Sequence, residues 1–195
     1  MGVVSFAITG CGRSGTKFLA SMMGRSKKVE VRHEPRGGDP VLPTTPTEEM
    51  LADFDKNNYG EVNSYLRYCI TELPVAQMGV ILRRTDELFL SGVNWKGSVE
   101  KAVADLPELM RAQKQACALA RRKDVLPISF HGMTRDVNYL NTIIRYFGIS
   151  DVTASEVDLQ DRINRPAEVS YQKFSEIPKS AQAAYMEALN NEYTA

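Results

Sequence analysis

The stretch that most limits what this chain can fold into is SFAITGCGRSGTKFLASMMG, residues 5 to 24. An apolar, β-rich run from Val3 to Thr9 stops at Gly10. Thr16 to Met23 then continues with Leu19, Met22 and Met23 on one apolar side of a helix, and Gly24 stands where a helix stop belongs. A buried strand, a glycine-rich turn and a helix in direct succession call for a sheet that helices cover. The same turn aims successive backbone N–H groups and a helix N-terminus at one point, and Arg13 and Lys17 add full positive charges. Small residues alone would make a tight turn. Glycines, hydroxyls and cations packed together after a strand select anion binding over that plainer use.

The rest of the chain supports the same architecture. KKVEVRHEP predicts a second strand closed by Pro35, and MGVILRRT a short apolar strand ending in a pair of arginines. DVLPISFHG predicts another strand, with Pro127 arguing for an edge position. Helices are predicted from Glu61 to Leu73, from about Gly97 to Arg122 with a break near Pro107, from Asp136 to Phe147, and from Pro178 to Tyr193. Between the second strand and the first of these lies RGGDPVLPTTPTEE, a long irregular loop of the kind that is often functional. Its end reads as a helix start, with Thr45 as N-cap, Pro46 at the first helical position and Glu48 closing a capping box. Residues 150 to 175 give no assignable element.

Strands alternating with helices predict an α/β fold: three layers around a mainly parallel central sheet, in one domain spanning residues 1–195. In such sheets ligands sit beyond the carboxyl ends of the strands. Those ends carry Gly10 to Lys17, His33 with Glu34, and Arg83 with Arg84, so the polar chemistry converges on one crevice. Lysines plus arginines number 24 and aspartates plus glutamates 24, a balance that gives no field for nucleic acid. The cysteines, Cys11, Cys69 and Cys117, are widely spaced and form no metal-ligand pattern, which fits a reducing compartment. With no signal peptide and no apolar run of membrane-spanning length, the sequence reads as cytoplasmic.

The turn is close to the triphosphate-binding pattern G-x-x-x-x-G-K-[ST], since Gly10 and Gly15 have its separation, but Thr16 precedes Lys17. That order has a match elsewhere. GCGRSGTKFL resembles the 5′-phosphosulfate loop of the sulfotransferases, with Arg13, Ser14, Gly15, Thr16 and Leu19 in the places of that family's basic residue, Ser, Gly, Thr and later Leu or Trp. ILRRTDELFLSG is similar to the family's 3′-phosphate site, with Arg83 at a strand end and Ser91 eight residues on. The usual Asp-Pro after that Arg is replaced by Arg84-Thr85, and spacing favours Arg83 over Arg84. The late segment from Asp124 to Ile149 matches in topology, with His131-Gly132-Met133 where a Glu-Asp-Leu tripeptide is usual.

The resemblance implies a P-loop-like fold and transfer of a sulfonate group from 3′-phosphoadenosine 5′-phosphosulfate (PAPS) to a hydroxyl or amine acceptor, with no required metal. It implies cofactor binding by Gly12, Arg13, Ser14, Gly15, Thr16, Lys17, Arg83 and Ser91. Arg13 and Lys17 would stabilise the leaving phosphate. Glu34 is the candidate base and His33 the runner-up, the two pointing to opposite faces of an alternating strand. His131 is better read as a satisfied strand-end histidine, and Cys11 as a small loop residue. Asn63 and Ser64 are candidates for a place near the acceptor or cofactor, and Arg162 and Arg165 for closure over the nucleotide. The rival reading is a P-loop kinase of a nucleoside or small metabolite, which would use ATP and magnesium. A third is a binding module that keeps the pocket without the base.

Overall fold

The computed structural model describes residues 4–36, 44–160 and 171–194. Five strands, β1 (Ser5–Gly10), β2 (Glu30–His33), β3 (Tyr59–Val62), β4 (Gln77–Leu82) and β5 (Val125–Ser129), form one sheet in the order β2-β3-β1-β4-β5. Every pairing is parallel. Parallel neighbours need crossovers, and helices supply them: α1 (Thr16–Met23), α2 (Glu48–Phe54), α3 (Thr85–Lys96), α4 (Val99–Ala104), α5 (Leu106–Leu119), α6 (Phe130–Arg135), α7 (Val137–Tyr146), α8 (Glu156–Gln160) and α9 (Lys179–Thr194). The α/β expectation therefore holds, and the sheet is wholly parallel.

The period-two alternation of β1 sorts the core into layers. Phe6 and Ile8 face a cluster built from α1 and α7, with Leu19, Met22, Met23, Leu140, Ile144 and Phe147. Ala7 faces the opposite cluster, with Met50 and Phe54 of α2 and Ala116 and Leu119 of α5. A third cluster joins Phe89 and Val93 of α3 to Leu106 and Met110 of α5 and Ala181 and Tyr185 of α9. Central β1 is buried along its whole length, while β2 and β5 form the edges. Pro127 sits on edge strand β5, as its missing N–H requires.

Several expected elements move. The helix expected over Glu61 to Leu73 is instead the end of β3 followed by two short 3₁₀ turns, Ser64–Tyr68 and Ile70–Glu72. Gly60 in β3 lies under the Phe6 ring, where a Cβ would come within 2.1 Å of the ring edge. The expected N-cap at Thr45 is displaced to Thr47, whose hydroxyl accepts from the Met50 N–H at 3.2 Å, and Glu48 becomes the first helical residue. Helix begins at Thr85 and not near Gly97, breaking at Gly97 and again at Asp105, so Pro107 falls inside the first turn of α5. His131 lies in α6, beyond the strand expected to contain it. Of the unassigned span, α8 and a 3₁₀ turn at Phe174–Glu176 are defined.

Candidate anion-binding and transfer site

The carboxyl ends of β1 to β4 come out along one edge, because His33 is in register with Val62, Ile8 with Val62, and Gly10 with Ile81. At the centre of that edge the chain leaves β1 through a tight turn, with the Ser14 N–H on the Cys11 carbonyl at 3.0 Å. Gly15 then adopts φ +101°, a conformation that L side chains rarely take, and a Cβ there would lie 2.5 Å from Met133 Cε. Glycine is thus demanded twice, by its backbone and by the buried α6 side chains behind it. No side chain caps α1, so its first N–H groups remain directed at the crevice. The Ser14 hydroxyl is buried and has no hydrogen-bond partner among the described residues. Cys11 is a buried thiol, pushed up to about 11 by burial, and serves as a small packing residue.

The two arginine sites of the sequence meet here. Arg83 leaves the end of β4 and donates from a guanidinium NH to the Arg13 main-chain carbonyl at 2.8 Å, tying the loop to the neighbouring strand. Its guanidinium lies over the Phe130 ring, 4.0 Å from the centroid. Arg13, itself at φ +70°, donates from Nε to Ser91 Oγ at 3.4 Å and lies 5.3 Å from the Trp95 ring centroid. Ser91 lies in the middle of α3, one helical turn before Trp95, and not at the start of the segment after β4. Burial disfavours the charged form of both arginines, and Arg83 adds to the effect on Arg13. Arg84 points outward and pairs with Asp86 at 2.7 Å, leaving Arg83 as the member facing the loop.

On the opposite rim the two acidic-base candidates come together, contrary to the expectation of opposite faces. Glu34 takes φ +45°, outside the extended geometry of β2, and this turns its carboxylate back towards His33. Glu34 Oε1 lies 3.8 Å from His33 Nε2, and His33 Nε2 lies 3.3 Å from the Thr16 hydroxyl of the loop. Ser64, just after β3, donates to the same Glu34 oxygen at 2.7 Å. Ser64 is itself fixed, since its carbonyl accepts from the Arg67 guanidinium at 2.5 Å and from the Thr9 hydroxyl at 3.4 Å. Burial lowers the His33 pKa; the Glu34 charge opposes that and Lys17 reinforces it. Lys17 is exposed in the first turn of α1 and makes no hydrogen bond or ion pair with the described residues. Gly12 is exposed at the loop tip.

The arginines that could have neutralised Glu34 are engaged elsewhere. Arg32 pairs with Glu30 at 2.5 Å, while Arg36 reaches Glu61 at 2.8 Å and Asp53 at 2.5 Å. Asn63 donates to Glu61 at 2.6 Å and so belongs to this buried network beneath the crevice. His131 Nε2 pairs with Glu87 at 2.8 Å, but its buried Nδ1 has no partner among the described residues, so the histidine is only half satisfied. Arg162, Arg165 and residues 37–43 of the Pro-rich loop lie outside the described residues. Sequence reasoning missed Glu87, Trp95 and Phe130. Glu87 had a signal, the i,i+4 spacing from Arg83, which becomes visible once residues 85 to 96 are read as helix.

No protein-family model matches the sequence, and no curated protein matches it. A structural match exists: a sulfotransferase from Alicyclobacillus acidocaldarius superposes with a TM-score of 0.56 at 15% identity, covering 98% of this chain and 96% of that one. The chain therefore has a sulfotransferase-like fold. Among the described residues no helix is long and apolar enough to cross a membrane.

Proposed function

We propose that this chain is a PAPS-dependent sulfotransferase, a single catalytic domain that passes a sulfonate group to a hydroxyl or amine acceptor. The observation that carries the reading is the junction of Arg13, Arg83 and Ser91 at the end of β4, facing a carboxylate held on the other rim of the same crevice. The residues fit the donor chemically. A buried Ser14 hydroxyl without an acceptor, uncapped α1 amides and two arginines whose charge burial disfavours all gain from an anion. The fold likeness supports the same class.

On this reading Gly12, Arg13, Ser14, Gly15, Thr16 and Lys17 hold the 5′ end of PAPS, and Arg83 with Ser91 holds the 3′-phosphate. When bound, the cofactor supplies a sulfonate group activated by its anhydride link to phosphate. Arg13, Lys17 and the loop amides neutralise charge on the departing phosphate oxygen, and positioning does most of the remaining work. Glu34 removes the acceptor proton. Ser64 occupies one of its oxygens and leaves the other for that task. His33, linked to Thr16, steadies the rim between base and loop.

A magnesium-dependent kinase is less well served by these residues. It usually holds the metal with an Asp at a strand end beside the loop, whereas the strand ends here carry Glu34 after β2, already hydrogen-bonded by Ser64, and Asn63, Arg83 and Ser129 after β3, after β4 and at the end of β5. The test is release of adenosine 3′,5′-bisphosphate from PAPS across an acceptor panel. Glu34→Gln should lower turnover by roughly 100-fold or more with bisphosphate binding unchanged. Full turnover in that variant would remove Glu34 as base, and absence of turnover in the unmodified protein with bisphosphate binding intact would favour a binding module.

A further inference from the structure

Glu87 belongs to none of the residues assigned so far, yet it sits on one of them. From the first turn of α3 its Oε2 accepts from Arg83 Nε at 3.3 Å, and its Oε1 meets His131 Nε2 at 2.8 Å. The pair is well shielded, with side-chain exposures of 17% for Arg83 and 24% for Glu87. His131 depends on this contact: its other ring nitrogen, Nδ1, is buried and has no partner among the described residues. The next carboxylate along, Asp86, is turned outward onto Arg84.

An arginine fork that already holds a carboxylate is not an empty seat. A phosphate reaching Arg83 would come close to the Glu87 charge in a partly desolvated setting, where like charges repel more strongly than in water. Two groups share the carboxylate, so it can leave one and keep the other. We infer that Glu87 is a built-in competitor for the Arg83 anion seat: it neutralises the guanidinium in the free protein, opposes an incoming phosphate, and is retained by His131 when phosphate takes Arg83. This inference rests on the reading of Arg83 as a phosphate site. It assigns Glu87 and His131 as residues that set the affinity of that site, so that Arg83 stays folded and oriented without ligand.

The test is calorimetric titration of the full chain with adenosine 3′,5′-bisphosphate. Glu87→Gln should bind about tenfold more tightly than the unmodified protein, because a competing partly buried charge is gone. Glu87→Ala removes the same charge and should shift affinity in the same direction, which keeps the test open if the Gln variant does not fold. Asp86→Asn removes the neighbouring carboxylate, which pairs with Arg84 and does not contact Arg83, and should stay within about twofold, since its charge is already offset by Arg84. His131→Ala should weaken binding, by leaving Glu87 with Arg83 alone, and should have no effect in the Glu87→Gln background. Equal or weaker binding in both Glu87 variants, or a gain matched by Asp86→Asn, would overturn the inference while leaving the donor site intact. Failure of the unmodified protein and every variant to bind the bisphosphate would instead refute the donor reading, and this inference with it.

Discussion

Replacing Gly15 by alanine probes the loop at its most constrained point. The residue holds φ +101° and ψ +15°, and an L residue forced into the left-handed region costs roughly 1–2 kcal/mol. The added Cβ would also lie 2.5 Å from Met133 Cε and 3.0 Å from Phe130 Cδ2. Met133 is fully buried in the α1–α7 layer, so its thioether has little room to retreat, and overpacking of this kind costs about 1–3 kcal/mol. The sum is about 3 kcal/mol, which for a chain of this size lowers Tm by roughly 6–12 °C. Thermal unfolding followed by circular dichroism reads it directly. A second variant separates the causes. Met133→Ala opens space, so Gly15→Ala combined with Met133→Ala should be less destabilised than the two single changes added together, by about the 1–3 kcal/mol of relieved overlap. Strict additivity would mean that the Cβ meets no real obstacle. A Tm change of under about 2 °C for Gly15→Ala would refute both parts of the reasoning.

Other outcomes follow from the rim and the network below it. The two histidines, His33 and His131, give two imidazole signals in proton NMR. His33 should titrate below the ordinary value of about 6.5, since burial disfavours its charged form. Its stabilising effect as a neutral group is therefore present at neutral pH and lost as pH falls through the depressed folded value. Glu34→Gln should lower the His33 midpoint further by removing the nearby negative charge, and an unchanged midpoint would show that the two side chains do not approach in solution. Arg36→Ala should cost about 3–5 kcal/mol, because it strands the fully buried Glu61 carboxylate, whereas Arg32→Ala should leave stability nearly unchanged. Urea unfolding of both variants makes the comparison, and equal stability losses would contradict it.

How far the sequence discloses all this depends on whether a signal is local. The β1-loop-α1 unit, β4, β5 and α7 are legible because apolar periodicity and punctuating glycines or prolines occur within each segment. Strand β3 is not. Its four residues include Gly60, required by the Phe6 ring above it, and Glu61, a charged residue buried inside a parallel sheet because Arg36 neutralises it from elsewhere in the chain. Nothing within YGEV announces either partner. Glu34 shows the same limit at the site. Its residue type and position suggest a base, but the positive φ that swings it beside His33 is a non-glycine outlier with no sequence signature, and it occurs just before Pro35. The Arg13–Ser91 contact joins residues 78 positions apart, so spacing could propose the two ends without their meeting.

The most direct test of the central claim is calorimetric titration with adenosine 3′,5′-bisphosphate and with ATP, each with and without magnesium. The account predicts bisphosphate binding that is indifferent to magnesium and lost in Arg83→Ala. Magnesium-dependent ATP binding, with no response to the bisphosphate, would contradict it and give the crevice to phosphoryl transfer.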